Sequence, residues 1–164
     1  MQHADRHAAR RSVRGGDLLK QDDYIKGRLV EMGWRFCQSY IGGGHIAGQM
    51  IMHTLANRAR VGWGTWLRVI DTVPQFMAEA EMPPLVHPPV FDPTFIRLLQ
   101  TVDGVFDGSV PDLSKGALYW GDLAKLERPW FREKIVQGTK RNFEGVAIPS
   151  HQRVANTNGL NFWD

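Results

Sequence analysis

The stretch DPTFIRLLQTVDGVFDG, residues 92–108, decides the fold class. Asp92-Pro93 reads as a helix N-cap followed by proline at the first helical position, where its missing N–H costs nothing. Phe95, Leu98, Leu99, Val102, Val105 and Phe106 recur at helical spacing and predict one apolar stripe. Gly108 is the natural stop, because a helix commonly ends on a residue in the left-handed region.

Working outward, the same logic finds further helices. Toward the N-terminus, Asp22-Asp23 suits a helix start. Ile25, Leu29, Met32 and Phe36 follow at helical spacing, and Tyr40 continues the stripe until Gly42-Gly43-Gly44 breaks it. A second helix is expected from Ile46 to Ala59, with Ile46, Met50 and Leu55 on its buried side and Gly62 and Gly64 ending it. Trp63 and Trp66 are expected to pack over that corner, and a short helix from Thr65 to Asp71 to follow. Five prolines between Met82 and Pro93 predict an irregular loop.

Beyond Pro111 the pattern shortens. Ala117–Trp120 reads as a brief strand, and Trp130–Gln137 as one or two helical turns. Asn142–Ile148 and Leu160–Trp163 are expected to pair as short strands, with an Asn/Gly-rich turn at Asn156–Gly159. The predicted fold is mainly α, with a small C-terminal β element.

Composition narrows the function. The chain has 164 residues, enough for one domain with its own core. Its single cysteine, Cys37, excludes an internal disulfide and any cysteine-based zinc finger or ribbon within the chain. Cys37 lies near an apolar stripe with no base beside it, which reads as a core thiol. No apolar run approaches the roughly 20 residues of a membrane span. MQHADRHAARRSVRGG has charge but no apolar segment after it, so no Sec signal peptide is expected.

The net charge of +3 sits entirely in the first 20 residues, through Arg6, Arg10, Arg11, Arg14 and Lys20 against Asp5 and Asp17. Residues 21–164 balance 15 basic against 15 acidic side chains. The expected organisation is a basic arm (1–20) ahead of one neutral domain (21–164). The partners expected of Arg6, Arg10, Arg11 and Arg14 are phosphate groups of nucleic acid or neighbouring subunits.

The glycine run 42–44 reads as a flexible turn, since it lacks the Lys-Ser/Thr of a phosphate loop. His45 and His53 stand two helical turns apart, roughly 12 Å by helical rise, too far to share a metal. No metal or cofactor is expected. Six tryptophans (Trp34, Trp63, Trp66, Trp120, Trp130 and Trp163) leave two uses open. Core packing is the commoner one, and aromatic platforms for sugar faces are the other.

Several segments occur in a familiar order. Gly48-Gln49, His53, Ala56-Asn57-Arg58-Ala59 and Trp63-Gly64 are followed by Gln75-Phe76. Then come Asp112-Leu113-Ser114, Gly116-Ala117-Leu118-Tyr119-Trp120 and finally Gly159–Trp163. From about residue 29 onward this order resembles the SleB-type cell wall hydrolases, spore-cortex and phage-borne enzymes with a lysozyme-like helical fold. The resemblance implies a peptidoglycan-directed domain that binds or cleaves glycan strands, with Tyr40, Gln49, Gln75, Tyr119 and Trp120 as substrate-binding residues. It implies a location in a virion or in the cytoplasm of the producing cell.

One departure bears directly on catalysis. The family places its catalytic Glu in an acidic motif just before the Gly-Gln pair, where this chain reads Tyr40-Ile41-Gly42-Gly43-Gly44. Alignment on Asn57-Arg58 instead brings Ser39 or Ile41 to that place, again without an acid. Glycosidic cleavage needs a proton delivered to the leaving oxygen, and tyrosine, with an ordinary pKa of about 10, delivers it poorly. Glu79, Glu81 and Glu31 are the remaining candidate acids. Two classes of function therefore stand: an active hydrolase using another carboxylate, and an inactive relative serving as a structural or interaction component of a phage particle.

Overall fold

The computed structural model describes residues 21–38, 44–72, 91–124 and 129–164. The chain is mainly helical, with two small antiparallel sheets. Helix α1 covers residues 21–37, and its expected stripe of Ile25, Leu29, Met32 and Phe36 is buried. Cys37 is buried beside it as a core thiol, its Sγ 3.1 Å from the Trp34 carbonyl oxygen. Burial first of all pushes that thiol up to about 11, so it stays protonated and inert.

Helix α2 (His45–Arg60) runs through the middle of the domain. Every residue from Ala47 to Ala56 is buried, because α4, α3 and β1 pack against it and α1 crosses it. The expected one-sided stripe is therefore replaced by burial all round, and Ile46, assigned above to the buried side, is exposed. Two glycines set the crossing with α1. A Cβ on Gly33 would lie 2.8 Å from Met52 Cγ and 2.9 Å from the Gly48 carbonyl oxygen. A Cβ on Gly48 would lie 2.9 Å from Leu98 Cδ1 and 3.1 Å from the Gly33 carbonyl oxygen. Three helices thus meet where two of them carry no side chain. Helix α3 (Trp66–Thr72) follows the Gly62–Gly64 corner, with Trp66 stacked 4.9 Å from Phe106.

Helix α4 (Pro93–Asp107) begins and ends as its sequence predicts. Asp92 Oδ1 accepts from the Phe95 N–H at 2.8 Å and also from Trp34 Nε1 at 3.1 Å, tying the cap to α1. Gly108 closes the helix at φ 81. Leu98, Val102 and Val105 are buried, whereas Leu99 turns outward, at the edge of the stripe.

Strands β1 (Tyr119–Asp122), β4 (Arg153–Thr157) and β5 (Leu160–Trp163) form one sheet in the order β1-β5-β4. Between β1 and β4 lie α5 (Pro129–Phe131) with a wide helical turn over Arg132–Val136, and a separate hairpin of β2 (Thr139–Arg141) and β3 (Ala147–Pro149). The expected pairing of residues 142–148 with Leu160–Trp163 is thus corrected. Leu160–Trp163 pairs with β4 and β1, and Ala147–Pro149 pairs with β2. Turn chemistry explains the difference. Asn158 and Gly159 both have positive φ (49 and 87), the Asn-Gly pair that closes a two-residue hairpin, and this makes β4 the neighbour of β5. In the other hairpin, Asn142 Oδ1 accepts from the Glu144 and Val146 N–H groups at 2.9 Å each and holds Phe143 fully exposed at the tip.

The main core joins α1, α2, α3, α4, β1 and β5, and a smaller cluster of Phe131, Ile135 and Trp163 lies under α5. Among the described residues no helix is long and apolar enough to cross a membrane.

Candidate functional site

Tyr40, Gln75, Glu79, Glu81 and the arginines Arg6, Arg10, Arg11 and Arg14 lie outside the described residues. The other named residues fall in three places. Gln49 is buried within α2. Glu31 lies on α1, where its Oε2 is 3.0 Å from Arg28 Nη1, and Arg28 also reaches Asp71 of α3 at 3.3 Å. Tyr119 and Trp120 are neighbours on β1 with opposite faces. Trp120 is only 3% exposed and meets Phe36 edge-on at 5.8 Å, so it belongs to the core and is not placed to meet a glycan strand. Tyr119 is half-buried among Trp63, Phe131 and His151. Burial raises the Tyr119 phenol above its ordinary value, against the lowering effect of nearby Arg58.

The strongest polar construction joins the end of α2 to the loop before β1. Asn57 Nδ2 donates to Asp112 Oδ2 at 2.8 Å and to the Ala117 carbonyl at 3.1 Å. Arg58 Nε donates to the Leu118 carbonyl at 2.7 Å. Its guanidinium carbon lies 4.8 Å from the Trp120 ring centre and 5.0 Å from that of Trp63, within cation–π range of both. Arg60 Nη2 donates to the Val105 carbonyl at 2.7 Å and so closes the free end of α4. One exposed-looking run in the sequence, Asn57 to Arg60, thereby anchors two other segments.

Asp112 is the hub of this node. Besides Asn57 it accepts from the Ser114 N–H at 2.8 Å, the Ser114 hydroxyl at 2.6 Å and the Gly116 N–H at 2.9 Å. Partial burial alone would raise its carboxyl. The bonds from Ser114, Asn57 and Gly116, with His53 close by, outweigh that and hold it below the usual carboxylate range. A general acid for glycoside cleavage needs the opposite shift. The chemistry available to Asp112 is that of a permanent anion bracing a loop.

His53 faces Asp112 from α2, with Nδ1 3.9 Å from Oδ1. The ring is 1% exposed, and among the described residues neither nitrogen has a hydrogen-bond partner. Burial pushes the imidazole below 6.5, helped by Arg60 and opposed by Asp112. The folded state therefore refuses a proton that the unfolded chain takes up. His53 contributes stability that is present above about pH 6.5 and is lost as pH falls below that value. In urea unfolding, the midpoint is expected to drop from about pH 7 to about pH 5, and His53→Phe should make that drop smaller. An unchanged drop would show that His53 takes its proton inside the fold.

Asp112 is not legible as a hub in the sequence, because its partner Asn57 is 55 residues away. A local signal was present, however. Asp112-x-Ser114-x-Gly116 is the spacing at which an aspartate accepts from backbone N–H groups two and four residues on. Of the six tryptophans, whose use the sequence leaves open, Trp63 (45% exposed) and Trp130 (42% exposed) are the two at the surface. No family model matches the chain, and no curated protein or solved structure is found to be similar to it.

Proposed function

We propose that the protein is a peptidoglycan-directed domain of the cell-wall-hydrolase type, built on a lysozyme-like helical frame and engaging glycan strands. One observation carries this reading. Two segments singled out by the resemblance, Ala56-Asn57-Arg58-Ala59 and Asp112–Tyr119, bond to each other directly across 55 to 60 residues of chain. Their meeting supports a common frame, in which Asn57 and Arg58 act as braces.

A second reading is favoured by the residues at the expected catalytic position. Tyr40 stands where the family has its acid, and Asp112, the carboxylate at the node, is held ionised. This supports an inactive relative retained as a component of a phage particle, with the arm carrying Arg6, Arg10, Arg11 and Arg14 attached to neighbouring subunits or nucleic acid.

Purified peptidoglycan tests both. On the first reading the protein co-sediments with sacculi, and any clearing of a sacculus suspension is abolished by one of Glu31→Gln, Glu79→Gln or Glu81→Gln. Loss of a general acid lowers the rate by about 10²–10⁴-fold. Sedimentation without clearing selects the inactive relative. If the protein neither sediments with sacculi nor clears them, the proposal is wrong.

A further inference from the structure

The hairpin of β2 and β3 is a two-stranded sheet apart from the main one, and among the described residues no third strand lies beside either edge. Its strands are short and open to water: Thr139, Lys140 and Arg141 are all exposed, as are Ala147 and Pro149. Two strands alone are the least stable form of a sheet. The bonds that flank the ladder fix which backbone groups point where. The Asn142 N–H donates to the Val146 carbonyl at 2.9 Å, and the Ser150 N–H to the Gly138 carbonyl at 2.7 Å. In an antiparallel pair such inward-bonded positions alternate with outward ones. Lys140 and Ile148, directly opposite each other, therefore bond inward, and Thr139, Arg141, Ala147 and Pro149 turn their backbone groups outward.

The two outer edges are not equivalent. On β3, Pro149 has no N–H and its ring takes the place of a donor, which blunts that edge. On β2, the N–H and C=O groups of Thr139 and Arg141 make a complete row of two donors and two acceptors. We infer that the outer edge of β2 takes up an extended, acidic segment of a partner protein as a third strand. Such docking is separate from glycan binding and goes beyond it.

The edge itself selects the class of occupant. A row of alternating backbone donors and acceptors is matched by another peptide backbone, and not by a sugar or a lipid headgroup. Charge then selects which peptide. Lys140 and Arg141 stand on opposite faces of β2, and the Arg141 guanidinium donates to the Gly145 carbonyl at 2.7 Å, which keeps it beside the hairpin. An acidic strand therefore meets a cation on either face. Glu144, the only acid between Gly138 and Ser150, lies in the tip beyond the edge. A second copy of the same edge is refused. The antiparallel register that uses Thr139 and Arg141 of both copies sets Lys140 directly opposite Lys140, in the close pair that forms no hydrogen bonds. The hairpin is also ready-made. Asn142 Oδ1 and the left-handed Gly145 (φ 80) fix its tip, so little freedom is lost when a strand is added.

The test titrates the full chain into a fluorescein-labelled heptapeptide of alternating Glu and Val, read by fluorescence anisotropy. Wild type is expected to bind it saturably, and to bind a peptide of alternating Lys and Val about 10-fold more weakly. Methylating the backbone nitrogens of the acidic peptide removes its donors and should weaken binding by about 10-fold. Thr139→Pro should do the same, since it mirrors Pro149 directly across the hairpin and leaves the inward ladder intact. Lys140→Glu combined with Arg141→Glu should reverse the preference between the two peptides. Far-ultraviolet circular dichroism shows whether each variant is folded. If Thr139→Pro does not fold, the methylated peptide on wild type decides. The proposal is overturned if wild type does not bind the acidic peptide, if methylation leaves the affinity unchanged, or if light scattering shows wild type pairing with itself and Thr139→Pro not doing so. Co-sedimentation with sacculi should be the same for wild type and Thr139→Pro, which keeps the failure of this edge distinct from a failure of glycan binding.

Discussion

Gly48→Leu is expected to abolish folding at 37 °C, and Gly48→Ala to cost about 1–3 kcal/mol despite alanine's better helix propensity. The reason is the three-helix meeting point, where even a methyl on Gly48 would press on Leu98 and on the backbone oxygen of Gly33. Leu98 has a flexible end that can give way, but the oxygen belongs to the backbone of α1 and cannot move without shifting the helix. Urea unfolding measures the alanine variant, and the soluble yield of the leucine variant measures the larger effect. An alanine variant as stable as wild type would mean that α1 and α2 are not in this close contact. The result also bears on the resemblance, because it would give the Gly48-Gln49 pair a packing reason that is independent of any substrate.

Asp112→Ala is the second large effect, at about 2–4 kcal/mol. It removes the acceptor of Asn57 Nδ2, the Ser114 hydroxyl and the N–H groups of Ser114 and Gly116 in one step. Asn57 keeps the Ala117 carbonyl, whereas the two backbone donors lose their side-chain acceptor. Asp112→Asn should cost less, since one carbonyl oxygen remains, though its amide group then faces donors. The pH signature separates charge from shape. The folded carboxyl sits below 3.8, so its contribution is present above about pH 4 and is lost as pH falls further. Both variants should therefore show a shallower loss of stability than wild type below about pH 4. An acid limb identical to wild type would mean that other carboxylates carry it. Removing Asp112 also takes away an influence that raises His53, so the imidazole should be still harder to protonate in Asp112→Ala.

These two sites differ in how far they could be read from the sequence. Helix α4 was legible because its signals are local: Asp92 and Pro93 at one end, Gly108 at the other, an apolar stripe between. Helix α2 was located to within a residue, yet its burial was misjudged. A helix enclosed on all sides has no polar face to betray its orientation, which is why Ile46 was assigned inward. In the sheet, the Asn-Gly turn is visible, but Arg153–Thr157 carries little apolar signal, so the more apolar-looking 142–148 stands in its place as the expected partner of Leu160–Trp163. The node around Asp112 depends on chain segments 55 residues apart, a distance over which spacing carries no information.

The strand order β1-β5-β4 has a consequence for how the domain is made. The middle strand, Leu160–Trp163, leaves the ribosome after both strands that flank it. Until it arrives, β1 and β4 have no partner between them, and their inner edges stand open. The helices can associate earlier, since the crossings of α1, α2 and α4 are complete by residue 107. Residues 160–163 therefore act as a latch that closes last, and the open edges are the stage at which the nascent chain most needs protection.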